Sequence, residues 1–212
     1  METMLPDRNG ITTHRQARAY GHELLRRNVI DAAAQLLREE GPEALTVRHV
    51  AETLDCSTKI IYTMFKGKDG LADALYMEGC SGLAQAMARV PKTATLAAYL
   101  RAVSWAYWTF ALANPSYYMV MFGGAIPNYQ PSATSIHATA TAFEIVIEMF
   151  EHYREEKALL LNDPTLVTQT LWAALHGVVS LHLLGHLASP EEAKAVVERT
   201  VEAMIASLVF KS

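Results

Sequence analysis

The chain has 212 residues, of which 51% are hydrophobic and 19% charged, with a net charge of −4. That length supports one large or two modest domains with a real core. Its apolar runs break well short of the roughly 20 residues that span a bilayer, and residues 1–16 lack the apolar segment of a secretion signal; a membrane partner is excluded and a cytoplasmic location expected. Cys56 and Cys80 form no metal-type cluster and are expected as reduced thiols. The acidic total hides an asymmetry, with ten Lys/Arg against nine Asp/Glu in residues 1–68 and eight against thirteen in residues 69–212. Contact with a polyanion depends on such local basic groups rather than on whole-chain charge.

Taken in order, residues 1–22 are expected as a flexible arm carrying Arg8, His14, Arg15 and Arg18. Such an arm either touches phosphates or a minor groove, or is a tail with incidental charge. A first helix is predicted over Glu23–Glu40, with Leu25, Val29, Ala33, Leu36 and Leu37 as its apolar stripe and Gly41-Pro42 as its stop. Thr46 caps the next helix, where Val47, Val50, Ala51 and Leu54 recur at helical spacing. Asp55 and Cys56 break that pattern, and Ser57 is a second candidate cap. Ile61 and Phe65 can then pack inward while Thr58, Lys59, Tyr62 and Thr63 fall on another face. Two short packed helices joined by a tight turn, the second presenting polar, basic and aromatic groups, form a helix-turn-helix layout.

Downstream, helices are predicted over Lys68–Arg89, Thr95–Asn114 and, after an Asn114-Pro115 restart, through Tyr117 and Phe122. Gly123–Pro131 reads as a loop. A long helix is expected over Ser132–Leu160, another from Asp163-Pro164 to Leu187, and a last one opened by a Ser189-Pro190-Glu191-Glu192 capping box. The penultimate helix is apolar on more than one face and so is expected to be buried on two sides. No strand pattern or internal repeat is visible, and the chain reads as all-α.

The run Asp55–Leu71 resembles the recognition-helix segment of the tetracycline-repressor (TetR) family. The matching residues are Ser57, Ile61, Tyr62, Phe65, Lys66, Lys68 and Asp69, a cap, two core residues, a presented Tyr and a basic exit at fixed spacing. Thr63, Met64 and Lys59 depart from the family's usual residues there, which leaves the DNA sequence undetermined. Trp172–Leu181 also resembles a segment of the two C-terminal helices that pair across a two-fold axis in part of that family. The resemblance implies a three-helix helix-turn-helix head over 23–68 and a helical-bundle body over 69–212 for ligand binding and dimerisation. Its partners would be a double-stranded DNA operator, a small-molecule effector and a second copy of the chain. It implies phosphate contacts from Thr46, Lys59, Tyr62 and Lys68, and base contacts from Arg48, Thr58 and Thr63, with Ser57 beside them. It also implies an effector cavity, for which Trp105, Trp108, Tyr117, Phe122, Phe143, Met149, Trp172 and His176 supply aromatic and polar-tipped walls. The function implied is a homodimeric repressor released from a palindromic operator by a small apolar or aromatic ligand.

Other chemistries find little support. His182 and His186 share a helix face but have no acid or Cys nearby, so packing outweighs metal sensing. Glu144, Glu148, Glu151 and His152 lack the paired Glu-x-x-His spacing of di-iron bundles, and no cofactor is expected. Cys56 in the turn fits a small hydrophobe better than a redox switch. An enzyme would need a nucleophile–base pair, a metal-ligand set or a phosphate loop, and none is present. A protein-binding helical adaptor would leave Lys59, Tyr62 and Lys68 without a role, and an activator would use the same parts as a repressor.

Overall fold

In the computed structural model, which describes residues 13–92, 95–155 and 163–209, the first helix begins earlier than expected. α1 spans His14–Glu39. Thr13 caps it: its hydroxyl accepts the Gln16 N–H at 3.2 Å, while Gln16 Oε1 accepts the Thr13 N–H at 2.9 Å, a capping box. The apolar stripe that marked Glu23 as the start is simply absent from the first turns, which are solvated. His14, Arg15 and Arg18 therefore sit exposed on a helix and not on a flexible arm; Arg8 lies outside the described residues.

After a 3-10 turn at Pro42–Ala44, α2 spans Val47–Thr53 and α3 spans Thr58–Phe65. Then follow α4 (Lys68–Ala88), α5 (Leu96–Ala113), α6 (Pro115–Phe122), α7 (Ala133–Glu155), α8 (Pro164–Leu183) and α9 (Pro190–Leu208). The architecture is all-α. The expected extension of α7 to Leu160 falls outside the described residues beyond Glu155. Ser189 accepts from the Glu192 N–H at 3.1 Å, but the return bond of Glu192 goes to the Ala188 N–H at 2.6 Å, one residue before the expected box.

Contacts divide the chain into two compact units, one reaching Ser81 and including Ser116–Ile136, the other holding Gly82–Pro115 and the residues from His137 on. The domain boundary expected at 68/69 thus differs from the break in the contacts. In the first unit α2 packs on both α1 and α3, and Val29, Ala33, Leu45, Val50, Ile61 and Leu71 are all fully buried. Each of the Val, Leu and Ile side chains among them contributes about 1.5–3 kcal/mol of burial. Asp73 of α4 is the polar anchor of this unit: its Oδ1 accepts from the Tyr129 hydroxyl at 2.7 Å, the Ser132 N–H at 3.1 Å and the Ser135 hydroxyl at 2.6 Å.

In the second unit α8 packs on α9 and α5, and α5 on α9. Tyr99 of α5 meets Phe150 edge-on with ring centroids 6.1 Å apart, and burial followed by the neighbouring Tyr153 pushes its hydroxyl up to about 12. Arg101 of α5 grips Glu202 of α9 through two hydrogen bonds of 2.6 and 2.8 Å. Among the described residues one helix, Pro164–Leu183, is long and apolar enough by length and composition to cross a membrane, although polar residues such as Gln169 and His176 interrupt its apolar runs. Within this unit it buries Val167, Leu171, Leu175 and Val179, but only 33% of the stretch is buried, short of the two-sided burial expected. Leu166, Leu181 and Leu184 remain exposed on and beside it.

Candidate nucleic-acid interface and ligand cavities

Thr46 sets the start of α2 by accepting the His49 N–H at 3.1 Å, as its position before an apolar stripe suggests. α2 turns through Asp55, which takes a left-handed φ of 48° that short polar side chains tolerate. Ser57 occupies the cap position of α3 with extended backbone, but its hydroxyl makes no bond to the first turn, a correction to the expected second cap. The hydroxyl stays exposed.

Along α3, Ile61 and Phe65 are buried while Thr58, Lys59, Tyr62 and Thr63 are exposed, so one face packs and the other is free. Phe65 is held by the Arg26 guanidinium of α1, 5.4 Å from its ring centre. Tyr62 is 55% exposed and its ring lies along Gly67, whose φ of 126° closes the α3–α4 turn. That contact holds the phenol without covering it. Lys68 opens α4 half-buried.

Two side chains arrive already engaged. Arg48 Nε donates to Glu52 Oε1 at 2.8 Å, which raises its pKa and leaves the two terminal NH2 groups available. The Thr63 hydroxyl donates to the Lys59 carbonyl at 2.8 Å, so its hydrogen is spent, and a lone pair and the methyl remain.

Of the eight expected ligand-cavity residues, six belong to the second unit. Phe143 and Trp172 meet at 5.0 Å between ring centres, with His176 6.3 Å from Trp172. Trp172 Nε1 donates to the Tyr107 hydroxyl at 3.1 Å, and burial holds the His176 imidazole below its ordinary value. The cavity that Phe143 and Trp172 line with Tyr107 is only about 20 Å³, room for one water. Trp108 is buried against His182, ring centres 5.5 Å apart, and Met149 is buried as well. Tyr117 and Phe122 belong to the first unit; burial, then Glu78 and Asp31, pushes the Tyr117 hydroxyl up to about 12.

Trp105 lines a much larger cleft of about 670 Å³ between α4 and α5, with Gln85, Arg89, Thr109, Phe110 and Asn114. Sequence reasoning missed the polar part of this wall. Arg89 and Gln85 sit near the end of a helix recognised by its stop, and no local signal marked them as facing a cavity. Among the described residues no three His, Cys, Asp or Glu side chains gather as for a metal ion.

A helix-turn-helix head with a packed face and a solvent face, followed by a helical C-terminal unit, defines a DNA-binding regulator. The profile described as bacterial regulatory proteins of the tetR family matches residues 29–75, and that of the tetracyclin repressor-like C-terminal domain matches residues 100–204. The chain belongs to the TetR family of transcriptional regulators, which pair DNA binding with a ligand-binding C-terminal domain and are not enzymes. No curated protein matches its sequence. Among solved structures, a protein of unknown function from a Rhodococcus species superposes with a TM-score of 0.75 at 22% identity, covering 88% of this chain and 96% of its own. The TetR-family regulator PfmR from Thermus thermophilus gives 0.65 at 19%, covering 84% and 97%. A TetR variant from Acinetobacter baumannii, in complex with minocycline, gives 0.61 at 18%, covering 84% and 92%. At these identities the likeness is one of fold.

Proposed function

We propose that this regulator is a cytoplasmic homodimeric repressor that leaves a near-palindromic operator when a small apolar or aromatic molecule binds its C-terminal unit. The observation that carries the DNA half is the split of α3 into a buried face of Ile61 and Phe65 and an exposed face of Thr58, Lys59, Tyr62 and Thr63. An exposed face of this kind suits a major groove, and two copies would meet half-sites about one helical turn apart. Thr46, Ser57, Lys59, Tyr62 and Lys68 supply hydroxyls and ammonium groups for phosphates. Arg48 keeps its guanidinium ends for a guanine edge. Thr63, its hydroxyl hydrogen spent, suits the methyl group of a thymine better than a donor-dependent contact. Thr58 stands on the same exposed face.

For the effector, support comes from the roomy cleft that Trp105 lines in the second unit, and from the minocycline complex of the A. baumannii relative; Phe143, Trp172 and His176 are candidates beside it. Tyr117, Phe122, Trp108 and Met149 remain candidates for the same role. The effector would act by binding a DNA-incompetent state of the dimer better than the competent one, since only differential affinity shifts an equilibrium. Selection from a random duplex pool tests the proposal. A palindrome with two half-sites about one turn apart should be enriched; absence of any enrichment at low salt would sink the regulator reading of α3.

A further inference from the structure

The cleft between α4 and α5 carries more information than its size. Its volume of about 670 Å³ lies within the range of small-molecule sites. The floor is aromatic, from Trp105 and Phe110, and Gly82 allows that floor to form: a Cβ at position 82 would come 2.9 Å from Phe110 Cε2. Gln85 and Thr109 add amide and hydroxyl groups to the walls, and Asn114 spends one amide hydrogen on the Phe110 carbonyl at 3.0 Å. Among the lining residues there is no Asp or Glu, and Arg89 is the charged one. The Arg89 guanidinium is exposed and makes no ion pair with a described residue. A second cation stands beside the same ring, the Lys194 ammonium lying 5.9 Å from the centre of Trp105.

We infer that this cleft binds an aryl carboxylate: a flat apolar body against Trp105 and Phe110, its carboxylate on the Arg89 guanidinium. The inference rests on the reading of the second unit as a small-molecule receptor and names the class of molecule it receives. Charge complementarity selects the anion. A cation would meet Arg89 with no carboxylate to balance it, and a neutral ring system would use the floor alone. A guanidinium also matches a carboxylate in a two-point, planar geometry that an ammonium does not offer.

The test is calorimetry on the full chain with 2-naphthoate and with 2-naphthamide, which share a body and differ in charge. Naphthoate should bind once per chain and about fivefold more tightly than the amide, the scale of a solvent-exposed charged contact. Arg89→Gln should abolish that preference and leave amide binding as it was. Trp105→Leu should weaken both ligands together, and should that variant fail to fold, the Arg89→Gln comparison alone decides. The inference is overturned if neither ligand binds, or if the preference for naphthoate survives Arg89→Gln. Operator selection is run separately without ligand. Failed selection with intact calorimetry would remove the regulator proposal, whereas failed calorimetry with intact selection would remove this site.

Discussion

At the scale of single residues, hydrogen-bond partners decide what each side chain still has to offer. On the proposed function Tyr62 and Lys68 contact phosphates, so replacing either by Ala should weaken binding to all duplexes alike. Thr63→Ala should instead relax preference at one base pair, by about 1–3 kcal/mol at most. Competition binding with half-site variants separates the two patterns, and a uniform loss for Thr63→Ala would refute its placement. Half-buried Asp73 spends its Oδ1 within the fold. Burial raises its pKa, but the bonds from Ser135, Tyr129 and Ser132 outweigh that and hold it below the ordinary carboxylate range. Its contribution is therefore present above the usual carboxylate pKa and lost as pH falls through the lowered value. Asp73→Ala strands the hydroxyl of the fully buried Ser135 with only Ser132 beside it and should cost about 1–3 kcal/mol in urea unfolding. His176 behaves in the same direction. Half-buried, with desolvation lowering its pKa, it costs the fold nothing above its ordinary value of about 6.5 and opposes it as pH falls below that value toward the lowered one. The thermal midpoint of the parent should fall further than that of His176→Gln between pH 7.5 and 5; equal slopes would contradict the assignment.

At the scale of elements, the joint between α3 and α4 is tight. Lys66 ends α3 in a left-handed conformation with φ 65°, Gly67 follows at 126°, and α4 starts at Lys68. Gly70 sits so close that a Cβ there would overlap the Phe65 carbonyl oxygen. Backbone cannot yield as a flexible side chain would. Gly70→Ala should therefore shift α4 against α3 and destabilise the head by about 1–3 kcal/mol, despite the better helix propensity of Ala. A denaturation midpoint equal to or above that of the parent would show that the joint has slack.

At the scale of the whole molecule, the exposed apolar groups of the C-terminal helices bear on assembly. Leu181 and Leu184 are 44% and 60% exposed at the end of α8, beside the α8–α9 pair that in the proposed dimer would meet its copy. Burying them against a second chain would remove apolar surface from water at about 25 cal/mol per Å². Leu181→Glu with Leu184→Glu should turn the dimer into a monomer in sedimentation velocity and abolish binding to a two-half-site duplex. A dimer that persists would place the interface elsewhere.

The all-α class, the stops at Gly41-Pro42 and Asn114-Pro115, and the two faces of α3 were legible in the sequence, because caps, prolines and apolar spacing act within a few residues. So was the family, from Ser57, Tyr62, Phe65 and the basic exit at Lys66 and Lys68. The start of α1 escaped that reading because solvated turns carry no apolar period, although Thr13 and Gln16 held the capping signal. What only the tertiary structure decided concerns residues distant in the chain. It shows Asp73 collecting Tyr129, Ser132 and Ser135, and Phe143 tilted against Trp172 over almost no void. It also places Arg89 and Trp105 on one cleft. Helical periodicity says which residues leave the solvent; which ones then meet, and whether space remains between them, is set by packing across the fold.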